Sequence, residues 1–208
     1  MREILCFGDS NTWGYSPKSG RRFPRDARWT GVLQSRLGSG YHVIEEGQCG
    51  RTTAWDDPVE GGTRNGRAYL APCLESHAPL DLVILMLGTN DTKKRFSLTA
   101  FDIGQCAAGL VDLIQSSTSG HQGSAPKLIL VAPPPLSAMT AFADMFEDGA
   151  EKSKKLGGIY RDIASGRGCA FLDAGEIVST SPLDGVHFEK AEHEKLGQAL
   201  ARMVKELL

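Results

Sequence analysis

The chain has 208 residues, 41% of them hydrophobic and 23% charged, with a formal net charge of -2, an ordinary balance for a globular protein. That charge sets up no strong field for nucleic acid or an anionic membrane, so a small neutral or weakly charged partner is expected. The length suits one continuous core, hence a single domain over residues 1–208, and no stretch approaches the roughly 18 apolar residues that a spanning helix needs.

The N-terminal run Met1-Arg2-Glu3-Ile4-Leu5-Cys6-Phe7 is too short for a secretory h-region and meets Gly8-Asp9 at once, so it reads as a first strand, Glu3 to Phe7. Helical spacing from Trp29 to Leu37 precedes a second strand, Tyr41 to Glu45. A helix from Gly66 to Ser76 leads to a third, Leu82 to Leu87, and one from Ala100 to Gln115 to a fourth, Leu128 to Ala132. Helix Ala150 to Ala164, strand Ala170 to Asp173 and helix Lys190 to Leu207 complete the chain. Strands alternating with helices indicate βαβ units, a parallel sheet covered on both faces, and so a three-layer α/β sandwich.

Five cysteines, Cys6, Cys49, Cys73, Cys106 and Cys169, make an odd number without a CxxC, which fits a reducing compartment, the cytoplasm. Two irregular stretches interrupt the alternation. Thr12 to Arg28 is rich in Arg, Gly and Pro; Pro133 to Asp148 carries Leu136, Met139, Phe142, Met145 and Phe146. Those apolar residues either wall a pocket or cap the core or a subunit contact.

In an open parallel sheet, ligands bind at the carboxyl ends of the strands. Strand one runs into Gly8-Asp9-Ser10-Asn11, strand two into Gly47-Gln48-Cys49-Gly50-Arg51-Thr52, strand three into Gly88-Thr89-Asn90-Asp91, and strand five into a loop holding Asp184-Gly185-Val186-His187. Each alone is an ordinary turn; together they suit acyl transfer. Serine needs a base to take its proton, and His187, three residues after Asp184, is the one histidine beside a suitable acid in a loop. The N–H of Ser10, the N–H of Gly50 and the side-chain amide of Asn90 can meet an oxyanion, each worth on the order of 3 kcal/mol in the transition state. Asp9 and Asp91 read as loop caps, and His42, His77, His121 and His193 as surface or packing residues without metal-ligand spacing.

Phe7-Gly8-Asp9-Ser10-Asn11, Gly47 to Gly50, Gly88 to Asp91 and Asp184 to His187 resemble, in order and spacing, the four blocks of the SGNH hydrolases, also called GDSL esterases/lipases. The resemblance implies a flavodoxin-like sheet of order 2-1-3-4-5, with Ser10, Gly50, Asn90 and His187 as the four naming residues and Asp184 completing the triad. FGDSNTWGY, RW, IEEGQCGRTT and GTND look most like the bacterial arylesterase/acyltransferase branch. Members of that branch hydrolyse short acyl and aryl esters, transfer acyl groups to alcohols or peroxide, and often form octamers, so a homo-oligomer is expected. One departure is Glu45, where many relatives carry Asn two residues before the first Gly of block two; the oxyanion glycine is unaffected.

Trp13 and Tyr15 lie in loops by the proposed site and, with Met139 and Phe142, are the expected substrate contacts; Trp55 reads better as interface packing. The expected activity is a serine esterase acting on small-molecule esters through an acyl-enzyme on Ser10, with no metal or organic cofactor required. Two rival readings are a carbohydrate acetyl-esterase or lysophospholipase, and a non-catalytic flavodoxin-like module binding phosphate or a nucleotide at its helix N-termini.

Overall fold

The computed structural model of the protein describes residues 1–138 and 141–208. β1 (Arg2–Gly8) runs into a four-residue helix, α1 (Ser10–Trp13), and a 3-10 turn at Arg25–Ala27 leads into α2 (Trp29–Leu37). Then come β2 (Tyr41–Gly47), α3 (Gly66–Ser76), β3 (Leu82–Met86), α4 (Ala100–Gln115), β4 (Lys127–Ala132), α5 (Gly149–Arg167), β5 (Ala170–Asp173) and α6 (Lys190–Leu207). The strands form one parallel sheet in the order β2-β1-β3-β4-β5, as the family resemblance implies.

Period-two alternation sorts each central strand between two cores. Leu5, Phe7, Val83, Leu85, Leu128 and Leu130 face one way and pack with apolar residues of α3, α4 and α5. Ile4, Cys6, Leu82, Ile84, Ile129 and Val131 face the other, against Trp29 and Leu33 of α2 and Leu196, Leu200 and Val204 of α6. Burying a large apolar side chain such as Leu or Phe is worth about 1.5–3 kcal/mol, so both faces contribute to holding the sheet. β3 is buried along its whole length, while the edge strand β5 is half-buried.

The register places the site. Gly8 pairs with Gly47 on one side and with Met86 on the other, so the loops after β1, β2 and β3 leave the sheet at one level. Gly47 is required there: a Cβ would stand 2.1 Å from the backbone nitrogen of Trp13, where α1 crosses the end of β2. Glu45, the departure in block two, has a local partner set instead. It accepts hydrogen bonds from Arg28, at 2.7 Å, and from Thr30, and so fastens the start of α2 to β2.

Helix α5 outruns the expected Ala150 to Ala164. Its last turn, Ser165-Gly166-Arg167, is polar and carries no hydrophobic period, yet the helix continues to Gly168. Of the irregular stretch from Pro133, Leu136 and Phe146 form a small buried cluster with Val186, with Phe142 and Met145 packed against it. All five cysteines are free thiols. Among the described residues, no helix is long and apolar enough to cross a membrane.

Candidate active site

β1 ends at Gly8, and the Asp9 carboxylate caps α1 by accepting from the Asn11 N–H at 2.9 Å, as a loop cap should. Ser10 is therefore the first residue of a helix held rigidly at the sheet edge. Asn11, part of the first block but without an expected role of its own, ties that helix to the loop before α6. Its side-chain amide donates to the Val186 carbonyl at 3.2 Å, and its carbonyl accepts from the Phe188 N–H at 3.1 Å. Both flanks of His187 are thus bonded to the residue next to Ser10.

His187 Nε2 lies 3.0 Å from Ser10 Oγ, and its Nδ1 lies 2.7 Å from Asp184 Oδ2. The other oxygen of Asp184 accepts from the N–H groups of Val186 and His187, at 2.9 Å each. Burial alone would raise this carboxyl; the hydrogen bonds from His187 and Val186 outweigh it and hold Asp184 below the ordinary carboxylate value. Asp184 therefore stays ionised and sets the tautomer and tilt of the imidazole. All three residues are buried, and the Tyr15 ring covers the imidazole, with centroids 4.1 Å apart.

A cavity of about 170 Å³ opens over Ser10 and His187, and Gly50 and Asn90 line it. Gly50 adopts φ +79, and a Cβ there would collide with the Glu60 carboxylate, 2.2 Å away. Asn90 sits on a 3-10 turn after β3; its amide nitrogen donates to the Arg51 carbonyl at 3.1 Å, which leaves the second amide hydrogen for another acceptor. Asp91, next to it, bridges loops as well as bonding its own backbone N–H: it accepts from the Thr53 N–H at 3.0 Å. Burial pushes the Asp91 carboxyl up to about 6, against the hydrogen bonds from Thr53. Arg51 is also buried, its guanidinium over the Phe7 ring at 4.2 Å and donating to the Gly8 carbonyl at 2.9 Å.

The cavity has one apolar wall and one charged wall. Tyr15, Phe142, Met145, Phe146 and Val186 form the first, with the Phe142 ring nearly perpendicular to His187 at 6.2 Å. Glu60 and Lys93 stand on the other, together with Cys49. The Lys93 ammonium is 2.5 Å from Glu60, and Arg95 reaches the same carboxylate oxygen at 2.7 Å and Asp57 at 2.9 Å. Burial lowers the Lys93 pKa, with the Glu60 carboxylate opposing. None of these charged residues carries a motif signal; Glu60 and Lys93 lie 33 residues apart and only the fold joins them.

Trp13, expected beside Tyr15, is not a cavity residue. The turn at Gly14 sends the chain back toward His187 only after Trp13, whose ring lies against the Arg22 guanidinium at 5.3 Å. Met139 falls outside the described residues. Trp55 is 42% exposed and does not line the cavity.

The chain matches the model of the GDSL-like Lipase/Acylhydrolase family over residues 6–195. It is similar to the aryl esterase of M. smegmatis, 46% identical with a TM-score of 0.95 and 100% of both chains covered. Est24, a carbohydrate acetylesterase from Sinorhizobium meliloti, is 45% identical, with a TM-score of 0.96 over 100% of both chains. A carbohydrate acetylesterase family member from the same organism is 41% identical, with a TM-score of 0.94 over 100% of this chain and 99% of that one. No curated protein matches the chain.

Proposed function

The chain belongs to the GDSL-like lipase/acylhydrolase family and is a carboxylic ester hydrolase; on that footing we propose that Ser10 is its nucleophile, with His187 and Asp184 as base and orienting acid. The observation that carries this reading is the hydrogen-bonded chain Ser10–His187–Asp184 on the floor of a small cavity. Ser10 Oγ attacks the ester carbonyl as His187 Nε2 takes its proton, and the ionised Asp184 stabilises the imidazolium that forms. The N–H groups of Ser10 and Gly50 and the free amide hydrogen of Asn90 receive the oxyanion. His187 then protonates the leaving alcohol, and water, activated by the same imidazole, releases the acid from Ser10. An alcohol or peroxide taking the place of water gives acyl transfer by the same steps.

Cavity size favours short acyl groups: about 170 Å³ is below the roughly 300–1,000 Å³ of drug-sized sites, which argues against long-chain substrates such as lysophospholipids. Tyr15 and Phe142 suit an aryl leaving group. A second reading, acetylated carbohydrate, has its own support in the Glu60 and Lys93 wall, whose charged groups can hydrogen-bond sugar hydroxyls. Turnover of p-nitrophenyl acetate, butyrate and octanoate beside an acetylated sugar separates the two, and Ser10→Ala tests the nucleophile. The proposal expects rates that fall with acyl length and vanish in the variant; an Ser10→Ala protein at near wild-type rate would overturn it.

A further inference from the structure

Glu46, Cys73 and His77 take no part in this chemistry. Read along the sequence His77 has no metal-ligand spacing to another histidine, but Cys73 stands four residues before it, so both side chains leave one face at the end of α3. β2 brings Glu46 to that face: its Oε1 lies 3.0 Å from His77 Nε2. One ligand atom from each of the three lies within 4.8 Å of the others. Thiolate, imidazole and carboxylate are together the donor set of a borderline cation, softer than the all-oxygen sets that hold Mg²⁺ or Ca²⁺.

We propose that Glu46, Cys73 and His77 bind one divalent cation of the zinc class, with water as the fourth ligand. The Cys73 thiol is buried, whereas the Glu46 and His77 side chains are 21% and 29% exposed, so the cation enters from their side. As the sulfur–metal bond forms, the thiol proton leaves to solvent, and the His77–Glu46 hydrogen bond is exchanged for two metal bonds. Arg51 faces Glu46 and Cys73, and Tyr69 hydrogen-bonds Glu46. The guanidinium leaves the filled cluster with a net positive charge. Occupancy fastens α3 to β2 just ahead of the loop that carries Gly50.

Titration of the chelator-treated full chain with Co²⁺ tests this. One equivalent is expected to give a thiolate-to-cobalt charge-transfer band in the near ultraviolet and the strong visible bands of four-coordinate cobalt, both abolished by excess Zn²⁺. Cys73→Ser should lose the charge-transfer band, and Cys106→Ser should keep it. His77→Ala, at a half-buried position that leaves the core intact, should weaken Co²⁺ binding by at least about 100-fold, more than loss of an outer-shell partner. No charge-transfer band in the wild type, a band that survives Cys73→Ser, or unchanged affinity in His77→Ala would overturn the site.

Discussion

His187 and His193 stand on either side of the start of α6, and both are almost sealed from solvent, yet their surroundings are opposite. His187 has a carboxylate on one ring nitrogen and a hydroxyl on the other. His193 lies edge-on between Phe23 and Phe188, at 5.5 and 5.4 Å; its Nδ1 accepts from the Trp29 N–H at 3.3 Å and, among the described residues, its Nε2 has no partner. Burial, helped by the charges of His187 and Arg28, pushes His193 down to about 3. An enclosed imidazole is thus a packing element by default; a paired acid and a neighbouring hydroxyl turn it into a base.

The largest expected effect breaks the member of this pair proposed as the catalytic base. Ser10→Ala or His187→Ala should each lower kcat for p-nitrophenyl acetate by about 10⁶-fold, and the double variant by no more, because the two act as a unit. Asp184→Asn should cost about 10⁴-fold in kcat with little change in KM, since the imidazole loses the acceptor that sets its tautomer. Steady-state kinetics over substrate concentrations from below to above KM measure both.

Asn11 sharpens the comparison, because it positions His187 without touching substrate. Asn11→Ala should reduce kcat by about 100-fold, the scale of a small misplacement of reacting groups, with KM nearly unchanged. Asn11→Asp, which keeps the acceptor for the Phe188 N–H but not the donor to Val186, should recover part of that loss. Equal losses in the two variants would deny the clamp its role.

The strands and both sandwich faces were legible because alternating apolar runs such as Ile4 to Phe7 and Leu82 to Met86 follow directly from burial on two sides. Ser10, Gly50, Asn90, Asp184 and His187 were legible as small or titratable residues after strands. Other features had no local signal. α1 is too short to show a period, so the direction of Trp13 depended on a turn that composition does not encode. The Asn11 clamp spans 175 residues, and the Glu60–Lys93 wall and the Glu46–His77 contact exist only once β2, α3 and β3 are packed.

His193 offers the converse test, a histidine whose loss should leave chemistry alone. Its folded pKa, about 3, lies below the ordinary 6.5, so between these values the unfolded chain holds a proton that the folded one refuses. Stability from this residue is complete above pH 6.5 and falls on acidification, by about 1.4 kcal/mol per pH unit within the window. Asp91, raised to about 6, runs the other way as the pH falls below that value, so the His193 contribution is read as wild type minus variant. In urea unfolding between pH 7 and 5, the stability of wild type minus that of His193→Gln should fall as the pH drops, while kcat at pH 7 holds. The smallest effect is expected at the charged wall: Glu60→Gln should raise KM for a sugar acetate by about fivefold, the worth of one hydrogen bond near 1 kcal/mol.

The central claim, that the reaction passes through an ester on Ser10, is open to one direct measurement. Rapid-quench mass spectrometry of the wild type with p-nitrophenyl acetate, followed by proteolysis, reads which peptide carries the acyl group. One acetyl per chain on the peptide containing Ser10, formed in a burst and absent from Ser10→Ala, is the predicted result. An acetyl on a different residue that turns over at the catalytic rate, or steady turnover by Ser10→Ala, would contradict it.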